Sequence, residues 1–88
     1  MKIEVQKSFE KDIAKVKNQE LAIKVLAIIN SLKTYQKLSD IPKLKKLNAN
    51  DSYYRIRIGD YRIGLKVDNE TLILLRFMGR KDIYKYFP

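Results

Sequence analysis

The segment YYRIRIGDYRIGLKV, residues 53–67, sets Arg55, Arg57, Arg62 and Lys66 among tyrosines and aliphatics on both sides of a Gly-Asp pair. Arginine's planar fork suits two-point contact with phosphate or carboxylate, which lysine's compact ammonium cannot copy. Successive side chains of a strand point to opposite faces. Tyr53, Arg55 and Arg57 therefore share one face of the first strand, with Tyr54, Ile56 and Ile58 on the other. On the next strand Arg62, Gly64 and Lys66 oppose Tyr61, Ile63, Leu65 and Val67. The aliphatic sets must cover a core. That leaves four cations side by side on the open face, with no Asp or Glu on it within either strand. A merely solvated face mixes signs, and like charges placed opposite each other destabilise a sheet. The pattern points to an anion site.

Charge and composition narrow the anion. Lys and Arg number 19 against 10 Asp and Glu, a net +9, which implies nucleic acid or an acidic protein segment as partner. Every arginine (Arg55, Arg57, Arg62, Arg76, Arg80) lies between positions 55 and 80, whereas the first half carries only lysines. Histidine and cysteine are both absent. The usual general base, the commonest metal ligand, disulfides and a thiol nucleophile are thereby excluded, and no metal or cofactor is expected.

Such a face could bind RNA through stacking and charge. It could also cut RNA through the 2′-hydroxyl, with fixed cations stabilising the charge that develops on the phosphate. Proton transfer would then fall to Lys, Arg or Tyr, whose ordinary pKa values are about 10 or higher. Packed cations lower the pKa of a lysine or a phenol. An enzyme built this way is weak at proton transfer and needs a partner to orient its substrate.

The elements that must position these residues read as one α+β domain over residues 1–88. KIEVQK alternates as a strand. Ser8 suits an N-cap, followed by Phe9, Ile13 and Val16 at helical spacing. Asn18 caps a second helix to about Leu32, with Leu21, Val25, Ile28, Ile29 and Leu32 as its apolar stripe. Residues 34–43 read as a loop, since Pro42 holds Ile41 extended, and KLKKL leads into the sheet. Gly59-Asp60 is a two-residue hairpin turn of the glycine-first type, and Asp68-Asn69 is a second turn before the strand TLILLRFM. On that strand Arg76 shares a face with Leu72, Leu74 and Met78, so both sides are apolar and the tail is a candidate cover. RKDIYKYFP closes the chain as a short helix or tail. The expected architecture is an antiparallel sheet of about four strands in β-α-α-β-β-β order, with the helical hairpin on one face. No apolar run approaches a membrane span, and a strand directly after Met1 leaves no signal region, so a cytoplasmic protein is expected.

The hairpin YYRIRIGDYRIGLKV, the preceding PKLKKL and the ending GRKDIYKYFP together resemble the RelE/ParE toxin superfamily of toxin–antitoxin pairs, over nearly the whole chain. RelE-like members enter the ribosomal A site and cut messenger RNA; ParE-like members share the fold and poison DNA gyrase. The resemblance implies a metal-independent, ribosome-dependent endoribonuclease toxin. Arg55, Arg57, Arg62, Lys81 and Tyr84 would be its catalytic set, and Lys45, Lys46, Lys66, Arg76 and Arg80 its RNA contacts. It implies the ribosome, messenger RNA and an acidic antitoxin as partners, the last in a hetero-oligomer. The alternatives are a gyrase inhibitor or an inactive RNA- or antitoxin-binding module. Two departures stand out. Lys81 replaces the usual arginine of the family's Gly-His-Arg, and Tyr86 competes with Tyr84. Tyr84 and Phe87 also suit simple docking of the tail, while Tyr54 and Tyr61 suit structural roles.

Overall fold

A computed structural model describes residues 1–47 and 52–88. It is an α+β fold in the order β1 (Lys2–Val5), α1 (Lys7–Ala14), α2 (Gln19–Leu32), a 3-10 turn (Leu38–Asp40), β2 (Leu44–Lys46), β3 (Tyr53–Ile58), β4 (Tyr61–Asp68), β5 (Thr71–Gly79) and α3 (Arg80–Tyr86). The sheet has five strands in the order β1-β5-β4-β3-β2.

The helical hairpin forms as its apolar spacing demands. Asn18 caps α2 by accepting from the Leu21 amide at 3.2 Å. Phe9, Val25 and Leu32 bury against Ile56, Ile58, Ile63, Leu65, Leu72, Leu74 and Phe77, the inward face of β3, β4 and β5. The β3–β4 turn follows the glycine-first reading: Gly59 has φ +58, a left-handed conformation that glycine adopts without a Cβ clash.

Several expectations need correction. The sheet gains a fifth strand because KLKKL itself pairs with β3, Leu44 opposite Ile56 and Lys46 opposite Tyr54. It is mixed rather than wholly antiparallel, since β1 lies parallel to β5. Ser8 does not cap α1. Gln6 occupies that position, and the Ser8 hydroxyl donates to the Leu75 carbonyl at 2.6 Å. The second turn sits one residue later, at Asn69-Glu70, with Asn69 at φ 55.

The register explains the Leu75 contact. Leu65 pairs with Leu74 and Gly64 with Arg76, so Leu75 is an extra residue left out of the ladder. The bulge reverses alternation along β5. Arg76 therefore does not share the face of Leu72 and Leu74; it alternates with buried Phe77 and stands opposite Gly64 on the outer side. Strict period-two counting cannot foresee that inversion.

The outer side is covered in part by α3. Ile83 of that helix is fully buried, and Phe87, the extended residue just past its end, is nearly so. The Phe87 ring lies over Gly64 and meets Tyr53 edge-on at 5.6 Å between centroids. The tail is thus a helix, and it does cover the sheet.

Candidate active site

β3 and β4 lay the arginines out in rows. Arg57 faces Arg62 directly, Arg55 faces Gly64, and Tyr53 faces Lys66. Lys45 of β2 extends the Arg55 row. Backbone carbonyls hold two of the guanidinium groups in place. Arg55 donates Nη1 to Lys43 at 2.9 Å, and Arg62 donates Nη1 to Gly59 at 2.8 Å and to Tyr61 at 2.9 Å. The Nε of both arginines is buried without a hydrogen-bond partner among the described residues. Lys66 places its ammonium 5.7 Å from the centre of the Tyr53 ring, a cation–π contact.

α3 brings Tyr84 to this cluster. Burial works against ionisation of its phenol, but the guanidinium group of Arg55, then that of Arg62, outweighs it. The net effect holds the phenol below the ordinary tyrosine value of 10.0. The side chain remains 59% exposed, so it is open to a substrate. Tyr86, two positions on, points elsewhere on a helix of 3.6 residues per turn and is exposed. Of the two competing tyrosines, Tyr84 is the one beside the arginines.

The remaining candidates divide. Lys81 lies three residues before Tyr84, on the same side of α3, and is exposed, as is Arg80 in the same turn. Lys46 points to the other side of the sheet from Arg55, since it pairs with Tyr54, and sits 5.9 Å from that ring. Arg76 is committed within the molecule. Asp12 of α1 accepts its Nε at 2.7 Å and its Nη2 at 3.2 Å, together with the Phe77 amide at 2.9 Å. Tyr54 packs against the core, and Tyr61 stacks on Phe77 with centroids 5.1 Å apart.

Three features of the site escaped sequence reasoning. The carbonyl anchors of Arg55 and Arg62 carry no side-chain signal. Asp12 gave none, being one charge on a helix. Gly64 read only as a gap between cations, although a glycine in the middle of a strand is itself a sign of close approach by another group.

A family described as the ParE toxin of type II toxin-antitoxin system, parDE, matches residues 3–84. The chain belongs to that family. This ParE-family toxin is 38% identical over 89 residues to Toxin RelE3 of Methanocaldococcus jannaschii, covering 100% of both chains. It is similar to the toxin in a RelB-RelE antitoxin-toxin complex from Methanococcus jannaschii, with 35% identity, a TM-score of 0.79, and coverage of 97% of this chain and 99% of the other. A RelE-RelB complex from Pyrococcus horikoshii shares the fold at 20% identity and a TM-score of 0.72, over 90% and 93% of the two chains. The chain is a RelE-like toxin of a type II toxin–antitoxin system. Among the described residues of the toxin, no helix is long and apolar enough to cross a membrane.

Proposed function

We propose that this toxin is a ribosome-dependent endoribonuclease that cuts messenger RNA by attack of a 2′-hydroxyl on the adjoining phosphate. The observation that carries the reading is the row of Arg55, Arg57 and Arg62 on the outer face of β3 and β4, with α3 and its exposed Tyr84 laid over that same face. The 2′-hydroxyl must lose a proton, negative charge must build on the phosphate, and the leaving 5′-oxygen must gain a proton. Arg55, Arg57 and Arg62 stabilise the phosphate where that charge develops. Backbone carbonyls already hold the Arg55 and Arg62 guanidinium groups in place, so they meet a phosphate preorganised. Tyr84, whose phenol the same arginines make more acidic, is the group suited to accept the 2′-hydroxyl proton or to stack on a base. Lys81 and Arg80 assist from α3. Lys45 and Lys66 hold flanking phosphates, while Lys46 and Arg76 are poorly placed to join them. The chemistry needs no metal.

The ribosome supplies orientation that this small face cannot provide for itself. The expected protein partner is an acidic antitoxin. RelB accompanies the toxin in the complexes from Methanococcus jannaschii and Pyrococcus horikoshii. In this chain Ile23 and Leu26 of α2 stand 64% and 61% exposed, and Leu26 lines a groove of about 420 Å³ between α1 and α2. Large apolar side chains left in water in this way suit the anchor of an antitoxin segment whose carboxylates meet the surrounding lysines.

The family's ParE description favours one rival, inhibition of DNA gyrase on the same fold. Primer extension on messenger RNA from translating ribosomes, run beside a gyrase supercoiling assay, separates the two. Discrete cleavage within codons with gyrase unaffected is the expected result. Blocked supercoiling with intact message would reverse the assignment.

A further inference from the structure

A helix of seven residues is too short to hold itself together in water, so the position of α3 depends on what grips it. Three grips are visible. The Arg80 amide donates to the Asp60 carbonyl at 2.8 Å, Ile83 is fully buried, and Phe87 lies over Gly64. The last is unusual. A Cβ built on Gly64 would stand 2.9 Å from the Cγ, Cδ2 and Cε2 atoms of Phe87, closer than real side chains approach. The backbone at Gly64 does not adopt the left-handed conformation that only glycine favours. Close approach of the ring, and not a turn, is what requires glycine here. The missing side chain opens a socket in the outer face, and Tyr53 closes it by meeting the ring edge-on at 88°.

The socket lies within the arginine cluster. Gly64 stands opposite Arg55 on β3 and two residues after Arg62 on β4. Phe87 caps the end of α3 in an extended conformation, three residues after Tyr84, and its amide still donates to the Ile83 carbonyl at 3.0 Å, which ties it to the helix that carries Tyr84. One rigid link therefore runs from the strands that carry the guanidinium groups, through the seated ring, to the phenol. We propose that Gly64 and Phe87 are positioning residues for RNA cleavage: the ring seated in the glycine socket fixes Tyr84 against Arg55 and Arg62. The inference rests on the nuclease reading for its catalytic consequence, but its geometric content stands apart from that reading.

The test uses the full chain with Gly64→Ala, Phe87→Ala and the double variant. Each is compared with a Tyr84→Phe partner, so that ultraviolet difference titration isolates ionisation of the Tyr84 phenol. Loss of the seat moves that titration upward in each single variant, as neighbouring cations recede. In ribosome assays kcat falls about tenfold or more while KM stays within about twofold, because positioning rather than binding is lost. The double variant is no worse than Phe87→Ala alone, since the added methyl acts only through the ring it displaces. A merely structural contact would lower the thermal midpoint and leave the Tyr84 titration of the folded protein where it was; that result overturns the proposal. Additive effects in the double variant also overturn it. If the wild-type chain leaves message intact, the nuclease reading fails, and the titration still decides whether the socket positions Tyr84. Should Gly64→Ala not fold, Phe87→Ala carries the same titration, because Phe87 lies outside the core on the helical-hairpin side of the sheet.

Discussion

Asp12 on α1 and Arg76 on β5 form a two-point ion pair across the part of β5 that β1 leaves uncovered, with Nε and Oδ2 at 2.7 Å and Nη2 and Oδ1 at 3.2 Å. The carboxylate side chain is only 10% exposed and also receives the Phe77 amide. It thus completes the β5 edge where the sheet has no further strand. The same contact neutralises one arginine of the outer face and leaves the rest of the charge concentrated on β3 and β4.

That pair gives a stability prediction with a defined sign. Burial alone would raise the Asp12 carboxyl, but the Arg76 and Phe77 hydrogen bonds, with charge from Arg76 and Lys15, outweigh it and hold the group below its ordinary value of 3.8. A carboxyl depressed in the folded state contributes stability above its unfolded pKa and loses it as pH falls through the folded value. Asp12→Asn therefore costs about 1–3 kcal/mol at neutral pH. In urea unfolding the gap from wild type narrows as pH falls below the ordinary carboxyl value. A gap that is unchanged in acid would refute the electrostatic account.

Arg57 and Arg62 face each other with no carboxylate between them on their strands. Arg57→Gln should therefore stabilise the free toxin by about 0.2–1 kcal/mol, an effect read as a higher thermal midpoint at low salt. The gain should fade in high salt, where exposed charges are screened. Message cleavage should fall by about 10²-fold or more, as expected when a charge-stabilising donor is lost. Lower stability in Arg57→Gln would mean that the arginine holds the fold rather than a substrate.

The parts of this design that were legible in sequence follow period-two and period-3.6 repeats. Ile56, Ile63 and Leu65 bury as their alternation requires, and Val25 and Leu32 bury as one helical stripe. The cation face followed by elimination. What could not be read depends on contacts between distant elements. Leu75 becomes a bulge only because α1 offers Ser8 to its carbonyl and Asp12 to the residues beyond it. KLKKL becomes a strand because β3 has a free edge to receive it, although its own three-residue pattern is too short to declare one. The choice between Tyr84 and Tyr86 likewise depended on which face of α3 turned to the sheet. Burial of Ile83 and Phe87 decides that, and the Ile-x-x-x-Phe spacing was the available signal.

Gly59 isolates the cost of backbone strain beside the site. Its φ is +58, and a Cβ there would meet nothing within 4 Å. Gly59→Ala should therefore lose only what the left-handed conformation costs an L-residue, about 1–2 kcal/mol. For a domain of this size each kcal/mol lowers the midpoint by about 4–8 °C. Gly59→Asn should lose less, since asparagine tolerates that region better. Equal losses in both variants would point to a contact rather than to the backbone.

Tyr84 supplies the sharpest kinetic prediction. Burial opposes ionisation of its phenol, but the guanidinium groups of Arg55, then Arg62, outweigh it and make the phenol more acidic. If the phenolate takes the 2′-hydroxyl proton, cleavage under single-turnover conditions rises with pH through the folded-state pKa, which lies below the ordinary tyrosine value. Tyr84→Phe removes that rising limb and lowers the rate by about 10²–10⁴-fold. Arg62→Ala takes away one of the two cations, so the limb moves to higher pH and the rate at neutral pH drops further than phosphate contact alone would require. Tyr86→Phe leaves the profile in place, because that ring is turned away from the arginines. A profile in Tyr84→Phe that keeps the limb, at a lower rate, would assign the ring to base stacking and move the proton to another group, with Lys81 on the same side of α3 the first to examine.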